Sequence, residues 1–333
     1  MIQKLLPITV IGDGAWGTTL AVLLAEKGYP VTLWGAFPEY VARVRASRIN
    51  EKFLPGIRIP DGVWLTASLK DAITGGSIIV LAVPSQYLTS TIKKIRRLDV
   101  AGKDFVSVVK GIDTATFLTM SQLISKELGQ VRVAVLSGPT IAIEVAKKIP
   151  TTAVSASLDG RFARKVQEIF SSAAFRVYTN RDVLGVEICG SVKNVIALAC
   201  GICDGLGFGT NTKAALLTRG LVEMTRLGKV FGANPKTFTG LAGLGDLATT
   251  CFSPNSRNRF VGSELGKGRS IKDILSSMNA VAEGVVTAKA VYHIARKHKI
   301  DMPITTAVYE VVYGHGDPQK AVAGLMGRTL RSE

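Results

Sequence analysis

The sequence predicts an α/β domain with a mostly parallel sheet, followed by an all-helical domain. In the first half, short apolar runs rich in Val and Ile alternate with amphipathic stretches, as in chains whose parallel strands are connected by helices. The runs carry almost no charge, which is typical of strands covered on both faces. After about Asp182 the strand signals largely stop and long helical patterns follow. We therefore expect two domains, residues 1–182 and 183–333.

The apolar runs and the helical spacing give each element a predicted range. Strands are predicted at Ile8–Ile11, Val31–Trp34, Ile78–Val83, Phe105–Val109, Val133–Leu136, Thr151–Ser157 and Phe175–Thr179. Helices of the first domain are predicted at Thr18–Lys27, Pro38–Ala46, Ser85–Ile95, Phe117–Leu128 and Gly160–Ser171. Helices of the second domain are predicted at Leu184–Cys203, Lys213–Phe231, Arg257–Leu265, Gly284–Lys297 and Thr305–Tyr313.

The charge of the chain favours an anionic ligand. There are 41 Lys and Arg against 25 Asp and Glu, a formal net charge of +16. Such an excess attracts nucleic acid, acidic membranes or phosphorylated metabolites. The basic residues are scattered, without the interleaved aromatics of a nucleic-acid stacking platform, so we expect no nucleic-acid partner. No window of about 20 uninterrupted apolar residues predicts a membrane span, and the N-terminus through Pro7 lacks a signal-peptide pattern, so we expect a cytoplasmic protein.

The cysteines argue against a metal site. Four cysteines in 333 residues suit a reducing compartment. Cys200 and Cys203 have the spacing of half a zinc site, but the second pair is absent and the surrounding segment has the pattern of a buried helix. We therefore interpret them as core residues and expect no metal.

A glycine-rich turn lies between the first predicted strand and the first helix. Gly12, Gly14 and Gly17 have the spacing G-x-G-x-x-G, and this strand–helix context is that of a Rossmann-like dinucleotide site. The free N–H groups and positive dipole at the helix start would bind the pyrophosphate. The sequence therefore predicts a nicotinamide dinucleotide as cofactor.

The end of the second strand leaves the choice between NAD and NADP open. An acidic residue there would bind the ribose 2′-hydroxyl, and an Arg nearby would accommodate a 2′-phosphate. The segment after Trp34 reads Gly-Ala-Phe-Pro and contains neither, although Phe37 could stack on the adenine. Three arginines, at positions 43, 45 and 48, lie at least a helical turn away.

Other polar residues are predicted at strand ends, where ligands of such sheets bind. Pro84-Ser85, Lys110-Gly111 and Ser137–Thr140 each follow a predicted strand. In the helical half, Lys193 and Asn194 interrupt an apolar helix. A lysine there either reaches the surface or is buried, and burial would lower its pKa toward the value that a general acid–base lysine needs.

Two clusters beyond Lys193 could complete a site. Asp246, in a glycine-rich turn, could orient a lysine ammonium, bind a substrate hydroxyl, or simply cap a helix. Ser256-Arg257-Asn258-Arg259 could form a phosphate clamp at a helix start or merely a solvated, capped one.

With these motifs in this order, the chain resembles the bacterial soluble NAD(P)-dependent glycerol-3-phosphate dehydrogenases over nearly its whole length. The shared pieces are Gly-Asp-Gly-Ala-Trp-Gly-Thr at 12–18, Val-Lys-Gly at 109–111, Ser-Gly-Pro-Thr at 137–140, Val-Lys-Asn-Val at 192–195, Gly-Leu-Gly-Asp-Leu at 243–247, Ser-Arg-Asn-Arg at 256–259 and Glu-Gly at 283–284. The resemblance implies reversible reduction of dihydroxyacetone phosphate to sn-glycerol 3-phosphate, the starting unit of glycerophospholipids. It also suggests a homodimer.

The resemblance further implies roles for individual residues. Lys193 would be the catalytic acid–base. The implied substrate contacts are Lys110, Gly138, Thr140, Lys193, Asp246, Ser256, Arg257 and Asn258. The implied cofactor contacts are Gly12, Gly14, Ala15, Trp16, Gly17, Phe37, Lys110, Ala142, Arg257, Val281 and Glu283. Asn194 and Thr250 would support the site.

The chain departs from the family pattern at one position, and two alternative functions are compatible with part of the motif set. Ala36 stands where many members of the family have an Arg or His that helps hold the 2′-phosphate, which weakens the case for a strong NADP preference. A β-hydroxyacid dehydrogenase or ketopantoate reductase has the same two-domain plan, but the Ser256–Asn258 cluster favours a phosphorylated substrate. A non-catalytic dinucleotide sensor or nucleic-acid binder would not need Lys193 and Asp246.

Overall fold

The computed structural model describes residues 5–278 and 281–330. The expectation about the N-terminus partly concerns residues 1–4, which lie outside that range. The described chain forms an α/β half and a helical half, so the predicted fold class is confirmed.

The α/β half is built on an eight-stranded sheet with the order β10-β9-β8-β7-β6-β1-β2-β5. All neighbouring strands are parallel except β8 and β9. Strands β1, β6 and β7 lie side by side near its centre and are completely buried. The strands of the sheet are β1 Ile8–Ile11, β2 Val31–Trp34, β5 Val63–Thr66, β6 Ile78–Leu81, β7 Asp104–Ser107, β8 Arg132–Ser137, β9 Thr151–Ala156 and β10 Phe175–Asn180; β3 Ile49–Asn50 and β4 Leu54–Arg58 form a separate hairpin.

Helices connect the strands and cover both faces of the sheet. Their ranges are α1 Ala15–Glu26, α2 Pro38–Ser47, α3 Leu69–Gly75, α4 Ser85–Ile95, α5 Met120–Leu128, α6 Ala142–Ala146 and α7 Gly160–Phe170. The prediction that α5 begins at Phe117 is wrong, because Phe117 has a φ of +59° and the helix starts instead after a capping box formed by Thr119 and Gln122.

The helical half surrounds one long helix. Its elements are α8 Val183–Gly205, α9 Thr210–Val230, α10 Pro235–Phe238, a π-helical turn Leu241–Gly245, α11 Asp246–Phe252, α12 Arg257–Gly266, α13 Ile271–Ser276, α14 Glu283–Lys297, α15 Pro303–Tyr313 and α16 Pro318–Met326. Helix α8 is buried from Gly185 to Cys203, and the four cysteines are buried and unpaired. This helix is long and apolar enough to span a membrane, with a mean hydropathy of 1.6 over its most apolar 18 residues. However, 89% of that 18-residue stretch is buried inside the protein, as in the core helix of a folded domain.

Glycines allow α8 and α12 to cross at backbone contact. A Cβ on Gly201 would collide with the carbonyl oxygen of Arg259, and one on Gly262 would collide with that of Leu198. Gly205 and Gly266 repeat the contact one turn further on. This close crossing fixes the start of α12, and therefore Ser256–Asn258, against the helix that carries Lys193.

Candidate active site

The glycine turn has the shape that a dinucleotide pyrophosphate requires. Gly12 has a φ of +121°, and a Cβ there would lie 2.7 Å from the backbone carbon of Ala82. A Cβ on Gly17 would collide with the carbonyl oxygen of Gly12, so this glycine lets α1 pack against the strand. At Gly14, directly before α1, nothing lies within 4 Å of a Cβ, which leaves the start of the helix open to a phosphate. The turn therefore fits the cofactor.

A buried charge cluster lies between the two halves of the protein. Lys193 on α8 is 6% exposed and Asp246, the first residue of α11, is 1% exposed. The Lys193 Nζ lies 2.9 Å from Oδ1 of Asp246, and the Lys110 Nζ lies 2.6 Å from Oδ2. Lys110 follows β7, so the carboxylate joins a sheet edge to the helical half. Asp246 does not cap a helix with its side chain, and the interpretation in which it orients a lysine ammonium fits the geometry.

Backbone and hydroxyl groups hold both ammonium groups in place. Lys193 donates to Thr250 Oγ1 at 2.5 Å, and Thr250 in turn donates to the carbonyl of Asp246 at 2.7 Å. Lys110 donates to the carbonyl of Gly138 at 3.1 Å. The stem of Lys110 passes over Gly190 of α8, where a Cβ would lie 3.4 Å from its Cγ. Each ammonium thus has a fixed position next to the shared carboxylate.

Burial sets the acidity of Lys193. Desolvation lowers the pKa of Lys193 from 10.5 to about 8, and the charge of Lys110 acts in the same direction. The carboxylate of Asp246 opposes both effects by stabilising the charged form. An ammonium with a pKa near 8 is protonated at neutral pH but releases its proton far more readily than an exposed lysine.

The start of α14 lies against the same cluster. Glu283 accepts a hydrogen bond from the backbone N–H of Ser85 at 3.1 Å, and Asn258 Oδ1 accepts one from the N–H of Gly284 at 2.9 Å. Burial raises the pKa of Glu283, while the Ser85 bond and the charges of Arg257, Lys110 and Lys193 lower it. Glu283 therefore ties the helical half to the carboxyl edge of the sheet beside the charge cluster.

In the cluster Ser256–Arg259, the serine caps a helix whereas Arg257 is exposed to solvent. Ser256 caps α12 by accepting from the N–H of Arg259 at 3.3 Å, and Arg259 pairs with Asp204 at 2.5 Å. The helix start is thus capped, as one interpretation predicted, and Arg259 is engaged elsewhere. Arg257 is exposed, and its charge acts on Glu283. Among the four residues, Arg257 is the cation that could reach a ligand.

The remaining predicted residues have the following places in the fold. Ala15 and Trp16 begin α1, and Phe37 precedes α2 with 70% of its surface exposed. Thr140 donates to the carbonyl of Gly138 at 3.2 Å, and Ala142, at the start of α6, accepts from Thr19. Asn194 lies on α8, with its side-chain amide 3.5 Å from the carbonyl of Gly190, and Val281 lies just before α14.

Asp13 lies in the glycine turn but is not among the residues that the sequence predicts to contact a ligand. It lies between the first two glycines of the turn, and its Oδ2 is buried without a hydrogen-bond partner in the described structure. An acid inside a glycine turn is a sequence signal, but the acid that typically binds the ribose lies at the end of the second strand. No group of three His, Cys, Asp or Glu side chains that could hold a metal is found in residues 5–278 and 281–330.

Comparison with known proteins assigns the family. The family model for the NAD-dependent glycerol-3-phosphate dehydrogenase N-terminus matches residues 7–163, and that for the C-terminus matches residues 182–323. The chain belongs to this family. The predicted resemblance is confirmed, as are the assignment as an NAD(P)-dependent oxidoreductase and the choice of this family over other dehydrogenases with the same plan.

Individual members of the family resemble the chain over its full length. The glycerol-3-phosphate dehydrogenase [NAD(P)+] of Chlorobium limicola is 50% identical over 98% of this chain and 99% of its own length. The corresponding protein of Geobacter metallireducens is 50% identical over 98% of both chains. The crystal structure of glycerol-3-phosphate dehydrogenase from Coxiella burnetii has a TM-score of 0.95 at 40% identity and covers 98% of this chain and 100% of its own.

Proposed function

We propose that this glycerol-3-phosphate dehydrogenase reversibly reduces dihydroxyacetone phosphate to sn-glycerol 3-phosphate, with Lys193 as the general acid. The observation that carries the proposal is the buried Lys193–Asp246 pair beside Lys110, at the carboxyl edge of the sheet that bears the dinucleotide turn. Bound NADH or NADPH supplies the hydride. The protein must then supply a proton and stabilise the developing alkoxide.

The charges of the cluster suit that task. One carboxylate lies between two ammonium groups, so these three side chains together carry a net positive charge, in a site largely removed from water. Such a charge stabilises an alkoxide more strongly in a buried site than in bulk solvent. Lys193 carries the proton at neutral pH, because its pKa is about 8, and Asp246 with Thr250 holds the ammonium in one orientation.

The substrate phosphate would bind to Arg257, the exposed arginine at the start of α12. Arg257 is exposed and lies close enough to Glu283 for its charge to lower that residue's pKa. Ser256 and Asn258 fix the backbone around it through the α12 cap and the bond to Gly284. An Arg at a helix start binds phosphate well, so Arg257 would distinguish a phosphorylated ketone from an unphosphorylated one.

The remaining roles follow from position. Residues 1–182 would form the dinucleotide-binding domain, with Gly12, Gly14, Ala15, Trp16 and Gly17 around the pyrophosphate and Phe37 near the adenine. Ala142, Val281 and Glu283 would lie at the nicotinamide end, whereas Gly138 and Thr140 would contact the substrate beside Lys110. Asn194 would support the site from α8. Residues 183–333 would form the substrate domain of a cytoplasmic homodimer that supplies glycerophospholipid synthesis.

The deciding assay measures oxidation of NADH and of NADPH with dihydroxyacetone phosphate, in parallel with unphosphorylated keto acids. We expect turnover with the phosphorylated ketone alone, and a selective rise in its KM when Arg257 is replaced by Ala. Equal turnover of a keto acid would overturn the assigned substrate. Light scattering of the purified protein tests the homodimer separately.

A further inference from the structure

Asp13 occupies the place of a side chain that the second strand lacks. In dinucleotide-binding sheets, an acid about 20 residues after the glycine turn, at the end of the second strand, binds the ribose 2′-hydroxyl. Here the residue directly after β2 is Gly35. A Cβ built on Gly35 would lie 2.6 Å from Cγ of Asp13 and in contact with Oδ2. The Asp13 carboxylate therefore fills the space where the missing acid would begin.

The Asp13 carboxylate lacks a donor that a ligand could supply. In the described part of the chain, no group donates a hydrogen bond to its buried Oδ2. Burial is the main influence on the pKa of Asp13 and raises it. A buried, unpaired carboxylate oxygen is costly, and native proteins rarely keep one without a partner. A ribose hydroxyl is a neutral donor of the kind that is missing.

Two of the three arginines that follow the second strand are bonded to backbone carbonyls. Arg45 donates to the carbonyl of Leu65 at 2.6 Å, while Arg48 donates to the carbonyls of Pro60 and Val63. Both guanidinium groups thus donate hydrogen bonds to backbone carbonyls in or next to β5. Arg43 lies over the ring of Tyr40, 5.3 Å from its centroid.

Lys52 is the cation that acts on Asp13. Its charge lowers the pKa of Asp13, although burial outweighs that effect, and its Nζ lies 5.2 Å from the centroid of the Phe53 ring. Two neutral side chains also lie near the carboxylate: Tyr40, which is bonded to Asn50 at 2.5 Å, and Val41, which lies against Gly35. Lys52 thus acts on a carboxylate, and a dianionic phosphate would have to approach that carboxylate together with the lysine.

We propose that the Asp13 carboxylate binds the adenosine ribose hydroxyls and thereby selects NADH over NADPH. Asp13 lies on the phosphate-binding turn, so the same short segment would hold the pyrophosphate and read the adjacent ribose. A 2′-phosphate would bring a second negative group against the carboxylate and remove the hydroxyl donor. The inference concerns the cofactor alone and does not depend on which ketone the enzyme reduces.

Calorimetric titration of NADH and NADPH, without substrate, tests this proposal in the wild type and in Asp13→Asn. We expect the wild type to bind NADH at least about tenfold more tightly, since a hydrogen bond to a charged group contributes about that factor. Asp13→Asn should weaken NADH binding about tenfold, should not weaken NADPH binding, and so should abolish the preference. Asp13→Ser, which also removes the charge, should behave alike.

Two control variants make the outcome specific. Asp99→Asn removes one negative charge in the turn before β7, at the amino ends of the strands and therefore away from the glycine turn, and should leave the NADH:NADPH affinity ratio unchanged. Lys52→Gln should not reduce the affinity for NADPH selectively. Equal or tighter binding of NADPH by the wild type, or an unchanged ratio in Asp13→Asn, would overturn the proposal. Because no ketone is present, failure of the assigned substrate would leave this result readable.

Discussion

The Oδ1 atom of Asp246 lies 2.9 Å from the Nζ of Lys193, and both side chains are almost completely buried. The two residues are 53 positions apart, the difference between 246 and 193, and are brought together where α8 packs against α11. Breaking a buried ion pair leaves the remaining charge uncompensated, which commonly costs about 3–5 kcal/mol. The contact therefore links folding of the helical half to the state of the proposed acid.

The first prediction concerns the pH profile of ketone reduction. Lys193 must be protonated to donate, so kcat should fall as pH rises through the pKa of about 8. Oxidation of sn-glycerol 3-phosphate needs the neutral amine and should rise over the same interval. Initial rates in both directions between pH 6 and 10 test this, and a reduction rate that is flat to pH 10 would contradict it.

Asp246→Asn should move that profile. The carboxylate raises the pKa of Lys193 against desolvation, so its loss should lower the pKa and shift the alkaline limb of reduction to lower pH. We also expect kcat at pH 7 to fall by about 10²-fold or more, because the Lys193 ammonium loses the negative charge that stabilises it and the contact that orients it. Circular dichroism establishes that the variant is folded. An alkaline limb at the wild-type position would show that Asp246 does not control the proton of Lys193.

Glu223 predicts a pH dependence of stability outside the active site. It is buried on α9 and caps α15, accepting from the N–H groups of Ile304 at 2.5 Å and Thr305 at 3.1 Å. Burial raises its pKa from 4.5 to about 7. Between these values the folded state keeps a proton that the unfolded state has lost. The free energy of unfolding should therefore decrease, by about 3 kcal/mol from this group, as pH rises from about 4.5 to 7.

Glu223→Gln should remove that slope. The comparison is the change in urea-unfolding free energy between pH 5 and pH 7.5, in the wild type and the variant. The absolute stability of the variant does not enter, because Gln also alters the cap of α15. The same slope in both proteins would show that Glu223 does not titrate in this interval.

The crossing of α8 and α12 predicts a packing defect. In Gly262→Ala the new methyl would meet the carbonyl oxygen of Leu198, so we expect a loss of about 1–3 kcal/mol in unfolding free energy. Gly324→Ala is the matched control, since Gly324 lies on the exposed helix α16 with nothing within 4 Å of a Cβ. It should be neutral or stabilising by up to about 1 kcal/mol. Equal stability of Gly262→Ala and the wild type would argue against backbone contact between these helices.

Regular patterns made much of the fold predictable. The buried strands at Ile8–Ile11 and Val31–Trp34 and the helix at Ser85–Ile95 have the predicted bounds, because apolar runs and helical spacing are local signals. Strand β5 was missed, since it lies at the edge of the sheet and its Trp64 is half exposed. The short helix α11 was also missed, because it continues from a π-helical turn rich in glycine.

The site was less predictable than the fold, because its contacts join distant segments. Lys193 stood out as a charge inside an apolar helix, but the sequence left open whether Asp246 orients a lysine or caps a helix. The second contact of Asp246, to Lys110, depends on how the sheet edge faces α11. The position of Asp13 could not be predicted from the sequence, because only the fold shows that its carboxylate fills the space beside Gly35.

The most direct test of Lys193 as the proton donor is the steady-state rate of dihydroxyacetone phosphate reduction by Lys193→Ala at pH 7. The predicted result is a fall in kcat of at least about 10²–10⁴-fold, with the NADH dissociation constant nearly unchanged. Lys126→Ala, at an exposed site on α5, should retain full activity. Turnover of Lys193→Ala at the wild-type rate would remove Lys193 from the mechanism.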